Sequence, residues 1–417
     1  MGVGFLVGRS LRRHKVSSGV AIASIALAAG LVMAVFSIQA QALRAFTSGA
    51  GTFDAVLGAR GSKLQLVLNS VFHLETSAGN IPWSIYQRIK DDPRVELAIP
   101  YAVGDNYQGH RIVGTTDEIF TKFEPAEGKT LELLPGGRPF DPGRREAVIG
   151  ETVARRTGLK IGMEFEPYHG LHFDEAQRHA EDYVVVGIFK ATGTPVDRVI
   201  WIPIEGVYRM TGHVLRGSGE TFVPDPTQPI PEEHKEVSSV LIKFTSASYG
   251  FALDQAINLQ GKTATLAWPI GAVMSDLFEK IGWAHLVLQA IAYLVVLVAI
   301  ASVLASLYGS LTQRRRDFAI LRALGARRRT VFSVLVLEST VIAALGSVLG
   351  YGVYFVIVTL AGNLMHEQIG VVLEIFRYHP ALAFVPVGFT GLGVLAGLLP
   401  GYEAYRTDVA SNLTPVS

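Results

Sequence analysis

Charged residues vanish from four long stretches of this chain. Residues 16–43, 281–313, 339–366 and 378–402 contain no Asp, Glu, Lys or Arg. A helix that crosses the hydrocarbon core of a bilayer needs about 20 mostly apolar residues. Each stretch exceeds that length with room for tilt. One such helix can be buried in a soluble fold; four in one chain predict membrane spans. Arg9, Arg12, Arg13 and Lys15 precede the first stretch, and Ala40-Gln41-Ala42 has the small-x-small form of a cleavage site. The apolar run is far longer than the about 7–15 residues of a signal peptide, so an uncleaved anchor helix is expected.

The pattern changes between the first and second stretches. Short β-rich runs recur at 95–101, 147–149, 183–189, 199–204 and 237–244, with helical patterns at 82–91 and 151–157. Asp91-Asp92-Pro93 and Leu134-Pro135-Gly136-Gly137 are turn signals, and the Pro-rich residues 223–231 suit a loop. The predicted fold class is an integral membrane protein with four transmembrane α-helices and a large extracytoplasmic α+β domain between helices 1 and 2. The expected partition is a cytoplasmic segment 1–15, spans 16–43, 281–313, 330–366 and 378–402, and an outer domain 44–280. A cytoplasmic coupling loop or helix at 314–329, a short outer loop at 367–377 and a cytoplasmic tail at 403–417 complete it.

Composition sharpens this picture. Of 417 residues, 49% are hydrophobic and 18% charged, against about a quarter charged in a soluble domain. Such a chain is too apolar to be disordered. Cysteine is absent, which excludes disulfides, thiolate zinc sites, iron–sulfur clusters and cysteine nucleophiles. The net charge of +1 predicts no nucleic-acid partner. Residues 44–280 hold 24 basic and 30 acidic side chains, whereas 1–15, 314–338 and 403–417 together hold eleven arginines and Lys15 against four acidic side chains. The positive-inside rule then places both termini and 314–329 in the cytoplasm and 44–280 outside.

The segment from Gln313 to Arg329 is the most informative. Phe318, Leu321 and Leu324 recur at spacing three, and Ile320 precedes Leu324 by four. That spacing predicts an amphipathic helix of two to three turns, closed by Gly325 in the left-handed conformation. Basic triplets flank it. It suits either a basic loop held against anionic lipid or a helix whose apolar face enters a groove on a cytoplasmic partner. Glu338 lies just inside the third span, placed to pair with an arginine of that loop and tie it to the span. Gly346 and Gly350 form a small-xxx-small pair that serves packing within one subunit or between two. Pro386 and Pro400 are expected to kink or end the fourth span.

The run Gln-Arg-Arg-Arg-Asp-Phe-Ala-Ile-Leu-Arg-Ala-Leu-Gly-Ala, followed by a basic cluster and Leu337-Glu338, resembles the FtsX-like permease family. Macrolide exporters, lipoprotein-releasing systems and cell-division FtsX proteins belong to that family. The layout of one span, a large outer domain and three spans matches as well. Residues 146–150 and 159–163 are similar to a MacB-like periplasmic domain. The resemblance implies a non-enzymatic permease subunit of an ABC transporter in a bacterial inner membrane. A separate cytoplasmic ATPase would hold ATP and magnesium, in keeping with the lack of a Gly-x-x-x-x-Gly-Lys-Ser/Thr loop here. Arg316, Phe318, Ile320, Leu321, Arg322, Leu324 and Gly325 would couple to it. A second permease copy, identical or related, is implied. So is a periplasmic adaptor, lipoprotein or binding protein. The expected work is to transmit ATP-driven motion to the periplasmic domain and so move or release a periplasmic or membrane cargo. Control of an extracytoplasmic enzyme, as in FtsX-type proteins, is the alternative.

One further constellation stands apart. His169, His172, Asp174, Glu175, His179, Glu181 and Asp182 fall within fourteen residues. His169, His172 and His179 could converge on zinc, although the same spacing suits a polar surface loop. His73, His110, His213 and His234 also lie in the outer domain. His-Glu-x-x-His is absent, which argues against a zinc protease. Residues 183–187 with Thr192-Gly193-Thr194-Pro195-Val196-Asp197-Arg198 resemble a subgroup of these permeases, some linked to zinc-responsive uptake operons. A metal-uptake-linked permease is thus the other alternative. Asp197 and Arg198 are expected to make a turn with an ion pair.

Overall fold

The computed structural model describes residues 3–48, 51–125, 128–170, 174–211, 213, 215, 229–323, 325–370 and 372–406. Among the described residues, four helices are long and apolar enough to cross a membrane: Lys15–Thr47, Gly282–Gly309, Arg328–Ile369 and Pro380–Arg406. The chain divides into two compact units. One comprises Met1–Gln41, Ile281–Asn363 and Leu373–Ser417; the other comprises Ala42–Lys280 and Leu364–Val372.

In the helical unit, small residues let the spans approach closely. A Cβ on Gly346 would lie 2.7 Å from Ile25 Cβ and 2.9 Å from the Ile22 carbonyl. One on Gly350 would lie 3.0 Å from Ala29 Cβ. The Gly346/Gly350 pair therefore packs the third span on the first within one subunit. Gly393 and Gly397 seat the fourth span on Ser339 and Val336 of the third in the same manner. Helix Pro380–Arg406 continues through both Pro386 and Pro400 instead of ending at either. Leu286, Ile291 and Leu294 of the second span are exposed, as lipid-facing positions would be.

Among the described residues the sheet unit is built on a ten-stranded sheet, with a separate two-stranded pair. The path runs Ala264–Ala267, Ala55–Ala59, Ser239–Phe244, Val95–Tyr107, His110–Thr115, Ile200–Pro203, Glu146–Ile149, Tyr183–Ile188, Glu164–Phe165, while Tyr168–His169 pairs with Val95–Tyr107 off that path. Pairing is mixed, since His110–Thr115 runs parallel to Ile200–Pro203. Alternation of side chains splits the core in two. Ala55, Leu57, Ala147 and Ile149 face one side with Tyr86, Ile89 and Val153 from helices. Val56, Val148 and Trp201 face the other with Leu66, Val67 and Met274. The expected strands and helices of this domain are present. Strands Ala55–Ala59, His110–Thr115 and Ala264–Ala267 add to them. Residues 223–228 of the expected loop lie outside the described residues.

The turn at 192–198 differs from expectation. Asp197 does not pair with Arg198. Its carboxylate accepts hydrogen bonds from the Thr192 and Gly193 amides at 2.8–3.0 Å and from Thr192 Oγ1 at 2.8 Å. Arg198 instead donates to the Gln368 carbonyl. Arg156 donates to the Glu367 carbonyl at 3.0 Å, and Arg155 lies 3.3 Å from His366 Nε2. Three arginines of the sheet unit thus hold the carboxy-terminal turn of helix Arg328–Ile369, where free carbonyls and the helix dipole favour cations.

Gly346→Val should lower the melting temperature of the detergent-solubilised protein by an overpacking cost of about 1–3 kcal/mol. Gly352→Val, whose added Cβ meets nothing within 4 Å, should not. Fluorescence-detected thermal unfolding of the two variants makes the comparison.

Candidate functional site

The densest polar constellation forms where strand Val95–Tyr107 breaks its ladder. The register against His110–Thr115 shifts between Val103 and Asp105, a β-bulge that re-aims a side chain. Asp105 is 1% exposed. It sits directly across from His169 in the antiparallel pairing of Tyr168–His169. Asn106 secures that short strand, donating to the Gly170 carbonyl at 2.8 Å. His179 follows a 3-10 turn at Glu175–Gln177, and His213 follows helix Ile204–Tyr208.

All three imidazoles meet one oxygen. His169 Nδ1, His179 Nε2 and His213 Nε2 lie 3.2, 3.1 and 3.2 Å from Asp105 Oδ1. Asp105 Oδ2 is buried with no hydrogen-bond partner. The far nitrogens are anchored: His179 Nδ1 is 2.9 Å from the Thr211 carbonyl and His213 Nδ1 is 2.7 Å from the Val207 carbonyl. Buried Glu181 orients Thr211 by accepting its amide at 3.0 Å and its hydroxyl. Burial would raise the Asp105 pKa, but the three imidazoles outweigh it and hold the carboxyl far below its usual range. Hydrogen bonding to Asp105 raises the His169 pKa. For His179, burial pulls down and Asp105 pulls up, with a net rise.

Of the three sequence-predicted ligands, His169 and His179 come together, and His172 lies outside the described residues. Asp105 and His213 complete the group. Asp105 carries one signal in the sequence, an acid directly after a glycine inside an apolar strand pattern. His213 carries none, because nothing in its spacing relates it to His179.

The arginine-rich segment is helical but not a separate helix. Helix Gly282–Ala323 runs unbroken for 42 residues, so 314–323 extend the second span. Gly325 follows with φ of 97°, the left-handed stop expected there. Phe318 is buried with Val331, Leu335 and Ala404, so the ring expected on a docking face packs inward. Ile320 is exposed and Arg322 half-buried. The side chains of Arg316, Leu321 and Leu324 lie outside the described residues. Glu338 is buried, and it accepts a 2.6 Å hydrogen bond from Ser10 of the amino-terminal helix Val3–Arg13.

Two family models match. Residues 18–253, over half of the chain, fit the MacB-like periplasmic core domain. Residues 290–409 fit the FtsX-like permease C-terminal model. This chain belongs to the MacB/FtsX-like family of ABC permeases. A macrolide export ATP-binding/permease protein MacB from Hyphomonas neptunium (strain ATCC 15444) is 25% identical to the permease over 255 residues, covering 58% of this chain and 36% of that protein. The permease thus spans about a third of the length of that curated relative. The extracellular domain of a noncanonic ABC-type transporter, YknZ from Gram-positive bacteria, matches at 14% identity over 51% of this chain and 99% of that one, with a TM-score of 0.29. The permease is a membrane protein with a large extracytoplasmic domain between its first and second spans.

Ser10→Ala should destabilise the permease by about 1–2 kcal/mol, the cost of one lost hydrogen bond to a buried carboxyl. Thermal unfolding in detergent should show it, and Ser10→Thr should restore most of the loss.

Proposed function

We propose that this permease transmits ATP-driven motion from a separate cytoplasmic ATPase to its extracytoplasmic domain, and that this motion moves or releases a periplasmic or membrane cargo. The supporting observation is the unbroken helix Gly282–Ala323. An α-helix is stiff along its axis, so a push on its arginine-rich end is a push on the span. ATP and magnesium belong to the partner, and a second permease copy completes the assembly. In this reading both termini and the 314–329 segment are cytoplasmic, which the arginine distribution supports. The membrane is a bacterial inner membrane. Helix Arg328–Ile369 offers a second path outward, because its last turn is held by Arg155, Arg156 and Arg198. One observation favours a metal-uptake-linked system as a second reading: the convergence of three imidazoles on Asp105.

Ile320→Asp should cut co-purification of the ATPase at least tenfold while leaving the melting temperature near that of the wild type. Phe318→Asp should instead lower the melting temperature, because its ring is buried. Undiminished co-purification with Ile320→Asp would remove Ile320 from the contact. The Arg156→Ala/Arg198→Ala double variant should keep ATPase association and lose ATP-dependent changes in outer-domain labelling. Labelling changes equal to those of the wild type would end the second path.

A further inference from the structure

We infer that Asp105, His169, His179 and His213 form a binding site for one exchangeable Zn2+-class ion, reached through the cavity that His169 and His213 border. The imidazole tautomers point there. His179 and His213 each direct Nδ1 at a backbone carbonyl, at 2.9 and 2.7 Å, which places the ring proton on that nitrogen. In the neutral ring, Nε2 of each turns a lone pair toward the Asp105 carboxylate. A proton or a metal cation between them satisfies both. A carbonyl-anchored far nitrogen is also what orients histidine ligands in metal sites. Protonating all three rings would crowd three like charges with ring centroids 5.1–5.7 Å apart around a single anion. One divalent ion leaves the set at a net charge of +1, against +2 with all three rings protonated, and places that charge at a single centre.

The separations from Asp105 Oδ1 to the three nitrogens agree with this assignment. Zinc bound tetrahedrally at about 2.0–2.1 Å from nitrogen and oxygen sets its ligands about 3.3–3.4 Å apart. Asp105 Oδ1 lies 3.1–3.2 Å from the three nitrogens, and all four donor atoms fall within 4.8 Å of one another. Small rotations of the rings would close the sphere. Asp105 Oδ2, buried without a partner, supplies a second carboxylate oxygen. The donor set is nitrogen and oxygen with no thiolate, which suits Zn2+, Co2+ or Ni2+ and disfavours Cu+.

Access distinguishes an exchangeable site from a structural one. Asp105 and His179 are buried, but His169 is half-exposed. A cavity of about 350 Å³ is lined by His169 and His213 together with His234, Glu236, Tyr208 and Asn80. His234 and Glu236 lie on the cavity wall, so substitutions there alter the path between the site and solvent.

The test uses the full-length permease in detergent, without ATPase, so metal binding is read separately from coupling. Zinc content by mass spectrometry and competition with a chromophoric chelator should give one ion per chain. Co2+ in place of zinc should give the intense visible absorption of a four-coordinate site. His179→Ala and His213→Ala should each weaken zinc binding at least a hundredfold, and Asp105→Asn, which is close in shape, should do the same without loss of fold by circular dichroism. The His234→Ala/Glu236→Gln double variant should keep one ion per chain and change the rate of chelator extraction severalfold. Absence of stoichiometric zinc, or zinc retained by Asp105→Asn and His213→Ala, would overturn the site. An extraction rate identical to wild type in the double variant would overturn the cavity route.

Discussion

Hydrocarbon offers a peptide group no hydrogen-bond partner, and the architecture of this permease follows from that. A lone chain crossing lipid must satisfy its backbone within a helix, so each charge-free stretch becomes one. The constraint does not stop at the bilayer surface. Helices Gly282–Ala323 and Arg328–Ile369 have 42 residues each, roughly 63 Å at 1.5 Å per residue, about twice the thickness of the hydrocarbon core. Each therefore projects from the membrane as a rod. Little hydrophobic force draws helices together in lipid, so close backbone approach has to hold them. The glycines facing Ile25, Ala29 and Ser339 allow that approach.

The outer unit solves the same problem with a sheet. Its ladder satisfies backbone groups between strands, and two-residue alternation supplies a core on each face. The single irregularity that matters most is the bulge at Val103–Asp105. It turns a carboxylate into the interior, where an ion needs partners to remain charged. Three imidazoles provide them, and each is fixed by a different element: a paired strand, a 3-10 turn and the segment after a short helix. The site's geometry therefore depends on the relative placement of all three elements.

Much of the plan was legible in the residues. The spans are a matter of composition over about 20 positions, and the strands at 95–101 and 183–189 follow from short runs of β-branched and aromatic residues. Gly325 marks the end of its helix because few other residues accept its backbone angles. The cluster of histidines at 169–182 contains two of the three imidazoles that meet at Asp105. Its spacing suggested His172, which lies outside the described residues, and the strand pairing opposite His169 brings in Asp105, 64 residues earlier. Amphipathic spacing likewise marked Phe318 as apolar without revealing that Val331, Leu335 and Ala404 would cover it.

By itself, then, the chain's order of residues determined the spans, the charge asymmetry across them, the α+β character of the outer unit and the family. Those properties depend on hydrogen-bond periodicity and hydropathy within windows of a few to about twenty residues. Tertiary structure alone decided that Gly346 meets Ile25, that Glu338 takes a hydroxyl from Ser10 and that His213 joins His179 at Asp105. Each of these contacts rests on how one strand registers or one helix faces against another. That choice is made by packing across the whole unit, where no local window reaches.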